Sequence, residues 1–181
     1  MAKKNIILEE ILRQYKKVTI NNSLNDDESF EYFAAEQLLK DENLDEDEIS
    51  SGLIGDANDN GIDGFYIFLD GELINQIEQV EGKYKEMKVY FHQYKNQYKI
   101  EENVVLKFNN AFRDIMNFEN TELNGWNGEL RDKIILLREV ILKTATYAMI
   151  IKFIINHVSK ANSEDIKDNK SYWSKVDNLK N

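Results

Sequence analysis

Apolar positions in the first 40 residues fall into two helical stripes. Ile7, Leu8, Ile11, Leu12 and Tyr15 recur at three-to-four spacing over residues 6–17, the period of an amphipathic helix. Phe30, Phe33, Ala34 and Leu38 form the second stripe, behind Asp26 and Asp27. Either aspartate can cap that helix, and the acidic first turn suits its dipole. Glu36 rides on it. Residues 41–48 are too charged to enter a core.

The period then changes from helix to strand. Residues 52–61, rich in Gly, Asp and Asn, read as turns, and residues 62–69 (Ile-Asp-Gly-Phe-Tyr-Ile-Phe-Leu) read as a strand. Asp70-Gly71 is a hairpin signal, with a return strand over 72–76. A third strand spans 87–95, with Val89, Phe91, Gln93 and Lys95 on one face and Tyr90, His92 and Tyr94 on the other. Amphipathic helices follow over 103–118 and 130–144. The β-branched run 148–156 predicts a buried strand, and the polar stretch after Ser163 another helix. This order predicts an α/β fold, a small mixed β-sheet flanked by helices, in one domain spanning 1–181. The abrupt polar ending suggests the N-terminal part of a longer protein, with further domains beyond.

Composition narrows the chemistry. There is no cysteine, which excludes disulfides, thiolate metal sites and cysteine nucleophiles and points to a reducing compartment. The N-terminus lacks the apolar region of a secretory signal and no stretch is long enough to span a bilayer, so the reading is cytoplasmic with no membrane partner. The formal charge is −10, at first sight unfavourable for a phosphate-binding protein. The acidity is local, however: residues 25–82 carry −17, while 1–24, 83–118 and 119–181 carry +3, +3 and +1. A solvated face accounts for most of those carboxylates.

Asp63 opens one strand, and Gln93 and Lys95 stand two apart on a later one. All three meet if the two strands are neighbours in the sheet. A carboxylate and an amide oxygen suit a hard divalent cation, and an ammonium can stabilise charge developing on a phosphate. Taken singly, Asp63 is a turn residue, Gln93 and Lys95 end an exposed strand, and Glu36 is a solvated helix position. His92 faces away from Gln93, and His157 has no partner identifiable from sequence. Asp56-x-Asn58-x-Asn60-Gly61 matches half of an EF-hand loop, but position twelve is Ile67 and a strand follows where a helix belongs. Lys83, Lys85, Lys88, Lys95 and Lys99, interleaved with Tyr84, Tyr90, Tyr94 and Tyr98, form the one stretch suited to a phosphate backbone.

Glu36 in Phe-Glu-Tyr-Phe-Ala-Ala-Glu, then Asp59-Asn-Gly-Ile-Asp63-Gly, then Val89-Tyr-Phe-His-Gln93-Tyr-Lys95 resemble the PD-(D/E)xK nucleases. The likeness is greatest to the Mrr-type restriction group and the AIPR (abortive infection phage resistance) proteins, over about residues 28–156. The resemblance implies a restriction-endonuclease-like αβββαβ core behind an extra N-terminal helix. It also implies an endonuclease that hydrolyses DNA with Mg²⁺ or Mn²⁺ in anti-phage defence, and a possible homodimer. Asp63 would be a metal ligand, Gln93 would stand in place of the second acidic ligand, Lys95 would be the catalytic lysine and Glu36 an accessory carboxylate, with Asp59 as a further ligand. An amide at position 93 brings no negative charge. The alternative is therefore a catalytically inactive nuclease-fold module that binds nucleic acid or protein.

Overall fold

A computed structural model describes residues 5–18, 24–55 and 60–180. The elements run α1 (Ile6–Val18), α2 (Asp26–Leu39), α3 (Glu46–Gly52), β1 (Gly64–Leu69), β2 (Glu72–Leu73), β3 (Glu86–Lys95), α4 (Asn103–Met116), α5 (Gly128–Thr144), β4 (Ile150–Ser159), α6 (Ser163–Lys167) and α7 (Lys170–Lys180). The class is α/β: a four-stranded mixed sheet with helices on both faces.

The strand order is β2-β1-β3-β4. β1 pairs antiparallel with β3 from Gly64↔His92 to Leu69↔Met87, and β3 pairs parallel with β4 from Glu86↔Ile150 to Lys95↔Ser159. A parallel pair needs a long crossover, which α4 and α5 supply. Alternation along the strands then divides the core in two. Phe65, Ile67, Leu69, Met87, Val89 and Phe91 pack under α4 and α5, and Tyr66, Phe68, Tyr90 and Tyr94 pack with Phe30, Ala34, Ala35 and Leu39 of α2.

Several sequence expectations change. The cap of α2 is Asn25, whose side chain accepts from the backbone N–H of Asp27 and Glu28 while Glu28 returns the bond; asparagine serves there as well as aspartate. The charged run 41–48 leads into α3, because Asp45 and Glu48 make a reciprocal capping box, and Ile49 and Gly52 of that helix are buried. The return strand contracts to β2. The β-branched run expected to be buried is β4, an edge strand whose first residues, Ile150 and Ile151, are 63% and 41% exposed. Its composition reflected β propensity rather than burial. Asp56, Asn58 and Asp59 lie outside the described residues. Among the described residues no helix is long and apolar enough to cross a membrane.

His92 is wholly buried, its Nδ1 lies 2.6 Å from the Tyr94 hydroxyl, and its Nε2 has no partner among the described residues. Burial pushes its pKa down to about 3. The folded state therefore resists protonation while the unfolded chain takes a proton below its ordinary value, so stability falls as pH drops from about 6.5 towards 3. Between pH 6.5 and 5 this group alone removes about 2 kcal/mol. Urea titrations at the two pH values should show His92→Gln losing less than wild type by about that amount; equal losses would mean that the imidazole is not held neutral.

Candidate functional site

The glycines on either side of Asp63 each let two neighbouring residues approach closely. Gly61 is left-handed, with φ of +83°, and a Cβ there would lie 3.0 Å from Gln93 Nε2 and 3.3 Å from both Cβ and Cδ of Lys107. Gly64 has no room for one either: its Cβ would meet the Tyr94 hydroxyl at 2.9 Å and His92 Cβ at 3.2 Å. The Gly-Ile-Asp-Gly element thus lets the chain close onto the ends of β3 and α4 while delivering an aspartate at the junction. The segment before it is tied down at Gly55, whose N–H donates to Glu129 (3.1 Å) and whose carbonyl accepts from the Asn127 amide.

Asp63 is 5% exposed. Its Oδ2 accepts the Tyr94 backbone N–H at 2.7 Å and lies 3.7 Å from Lys95 Nζ. The peptide N–H fixes the carboxylate; the ammonium, with its side chain 30% exposed, stays in reach of solvent. Continuing the antiparallel register one step beyond Gly64↔His92 puts Gln93 opposite Asp63, on the face it shares with Lys95. It is 1% exposed, and its Oε1 has no hydrogen-bond partner among the described residues. An acceptor left bare in the interior costs on the order of 1–3 kcal/mol, and this one sits beside a carboxylate.

Asp63, Gln93 and Lys95 come together; Glu36 does not join them. It lies on α2, which covers the opposite face of the sheet, and its charge acts on Tyr32 together with those of Glu46, Asp47 and Asp45. Another α2 carboxylate, Glu31, acts on Tyr94 together with Asp63. Burial raises the pKa of the Tyr94 hydroxyl most, and the charges of Asp63 and Glu31 add to that. Helical spacing held the signal for Glu31, since Ala34 and Ala35, three and four residues on, are both buried and belong to the cluster that contains Tyr94.

His157 is the other neighbour that sequence did not supply. It faces Gln93 across the β3–β4 pairing, its Nδ1 lies 3.3 Å from the Tyr172 hydroxyl and its Nε2 is buried without a partner among the described residues. Burial lowers its pKa, and the Lys95 charge lowers it further. Parallel register cannot be read from one strand's sequence, so nothing in the local pattern indicated this pairing.

The lysine- and tyrosine-rich stretch is not one patch. Lys88 and Tyr90 both bond Glu42 (2.8 and 2.5 Å), Tyr94 is buried, and Tyr98 bonds Glu9 (2.5 Å). Strand alternation sends those side chains to the face opposite Lys95 or into local pairs. The added cation at the site is Lys107, an exposed α4 residue whose stem crosses Gly61 and which has no ion-pair partner among the described residues.

Among the described residues no three His, Asp or Glu side chains form a metal-binding group. A cation here would take oxygen from the Asp63 carboxylate and the Gln93 amide, with water completing the shell. That donor set fits Mg²⁺ or Mn²⁺, which bind through one or two carboxylates and keep several waters.

Comparison with known proteins finds no matching family model, no matching curated protein and no matching solved structure.

Proposed function

We propose that Asp63, Gln93 and Lys95 form the centre of a metal-dependent nuclease that hydrolyses DNA phosphodiesters, in keeping with the resemblance to PD-(D/E)xK enzymes of restriction and abortive infection. The observation that carries this reading is the 3.7 Å approach of Lys95 Nζ to Asp63 Oδ2 beside the bare, buried Oε1 of Gln93. A divalent cation bound there would neutralise phosphate charge and acidify a water.

The chain's own residues supply the rest. Asp63, oriented by the Tyr94 N–H, offers the only charged oxygen among the three. Gln93 offers a neutral oxygen pre-stripped of solvent. Lys95, whose ammonium is close to the same carboxylate, can donate to the attacking water or to a phosphate oxygen and counter the charge that builds in the transition state.

The experiment is plasmid cleavage by the whole chain in Mg²⁺ or Mn²⁺, set against EDTA. Metal-dependent nicking or linearisation is expected. The neutral amide of Gln93, where the resemblance expects a second carboxylate, and the net charge of −10 favour one rival, a nuclease-shaped module that binds nucleic acid or protein without cutting. Retention of DNA in EDTA with no cleavage on adding either metal would select that rival.

Either version places phosphate near Lys107. Lys107→Ala should weaken DNA binding in EDTA and reduce the slope of log K against log salt by about 1, the release expected for one phosphate contact. An unchanged slope would remove Lys107 from the interface.

A further inference from the structure

A cleft of about 570 Å³ opens between α4, β4 and α7. Phe108, Phe112, Phe153 and Ile155 line it on the α4 and β4 side, and Tyr172 and Trp173 of α7 on the other. Two polar side chains, Asn156 and His157, also line it. An aromatic, mainly apolar cavity of this size with a few polar groups is the form that small-ligand sites take.

Two features bear on the occupant. Trp173 is 40% exposed, yet its Nε1 donates to the Ile166 carbonyl at 2.9 Å, which anchors the indole edge. Its ring meets Tyr172 edge to face at 5.5 Å, and Tyr172 in turn lies 6.0 Å from the His157 ring. An exposed aromatic held at its edge is suited to receiving another flat ring. The second feature is position. His157 is the register partner of Gln93, so one strand spacing, about 4.8 Å, separates that part of the cleft from the strand that carries Gln93 and Lys95, and about two separate it from Asp63 at the start of β1. That lies within the reach from a phosphate to its own base.

We propose that this cleft takes the nucleobase of a nucleotide next to the phosphate held at Asp63 and Lys95, so that the preferred strand is unpaired. The nuclease reading locates the phosphate, and the cleft extends that site to a base. Every nucleobase has a π face for an aromatic wall, and stacking tolerates sequence; Asn156 and His157 offer a donor and an acceptor for its edge. A base inside a duplex is already stacked and paired, so it enters only from a single strand or after being turned out of the helix.

The test uses the full chain in EDTA, where catalysis is silent. Single-stranded dA and dT dodecamers and one mixed-sequence 12-base-pair duplex are titrated, following tryptophan fluorescence in a Trp126→Phe background so that Trp173 alone reports. Single strands are expected to quench that signal and to bind more tightly than the duplex. Trp173→Ala, followed by anisotropy of labelled dodecamers, is expected to weaken single-strand binding roughly tenfold or more, the loss of one stacked base, while Trp173→Phe largely restores it. Photocrosslinking of a 5-iododeoxyuridine dodecamer to the wild-type chain, read by mass spectrometry, is expected on Tyr172 or Trp173 and depends on no variant folding. Duplex binding as tight as single-strand binding, or crosslinks that all miss α7, would overturn the proposal. The two readings fail separately: α7 crosslinks without Mg²⁺-dependent cleavage would sink the nuclease and keep the cleft, while Asp63-dependent cleavage with no role for Trp173 would do the reverse.

Discussion

Lys95→Ala is expected to lower plasmid cleavage in Mg²⁺ by about 10²–10³-fold, the scale on which removing one preorganised electrostatic group acts. Asp63→Ala should cost at least as much, because it removes the charged oxygen of the proposed cation site and leaves Lys95 without its acidic neighbour. The two losses should not add, since the ammonium stands 3.7 Å from the carboxylate and the pair acts as a unit. Glu36→Ala, on the other side of the sheet, should leave cleavage within about twofold of wild type. Gln93→Glu is the informative gain: a carboxylate at that buried position adds charge to the cation, and tighter metal binding is expected. Cleavage by Lys95→Ala and Asp63→Ala at the wild-type rate would remove the site altogether.

Phe91→Ala carries the largest expected effect on stability. Phe91 is 1% exposed on the central strand, stacked on Phe65 with centroids 4.8 Å apart and in ring contact with Phe112 of α4 and Phe153 of β4. Truncating an aromatic residue at such a position costs about 3–5 kcal/mol, as lost burial plus the cavity left behind. Native domains hold only about 5–15 kcal/mol in all, so the midpoint of urea unfolding should fall steeply. It should do so without a change in the denaturant slope. A loss under about 1 kcal/mol would mean that α4 and the sheet do not pack tightly at this residue.

Much of the architecture was legible because its determinants are local. The period-two alternation of 87–95 assigned Gln93 and Lys95 to one face and His92 and Tyr94 to the other, which is where the structure has them. The glycine-rich segment before Asp63 was legible as a turn, but the close approach of Gly61 and Gly64 to Gln93, Lys107, His92 and Tyr94 was not. What escaped was non-local. Glu36 looked available to the site because the apolar stripe of a helix does not say which face of a sheet that helix will cover. His157 looked solitary because its neighbours, Gln93 and Tyr172, are set by parallel register and by a helix from the far end of the chain. The edge position of β4 was hidden for the same reason: Ile and Val favour strands at edges and centres alike.

The most direct measurement is anomalous diffraction from crystals soaked in Mn²⁺. The account predicts a peak coordinated by an Asp63 carboxylate oxygen and by Gln93 Oε1, lost in Asp63→Ala crystals. Manganese bound elsewhere, with the region between Asp63 and Gln93 empty at saturating metal, would contradict it.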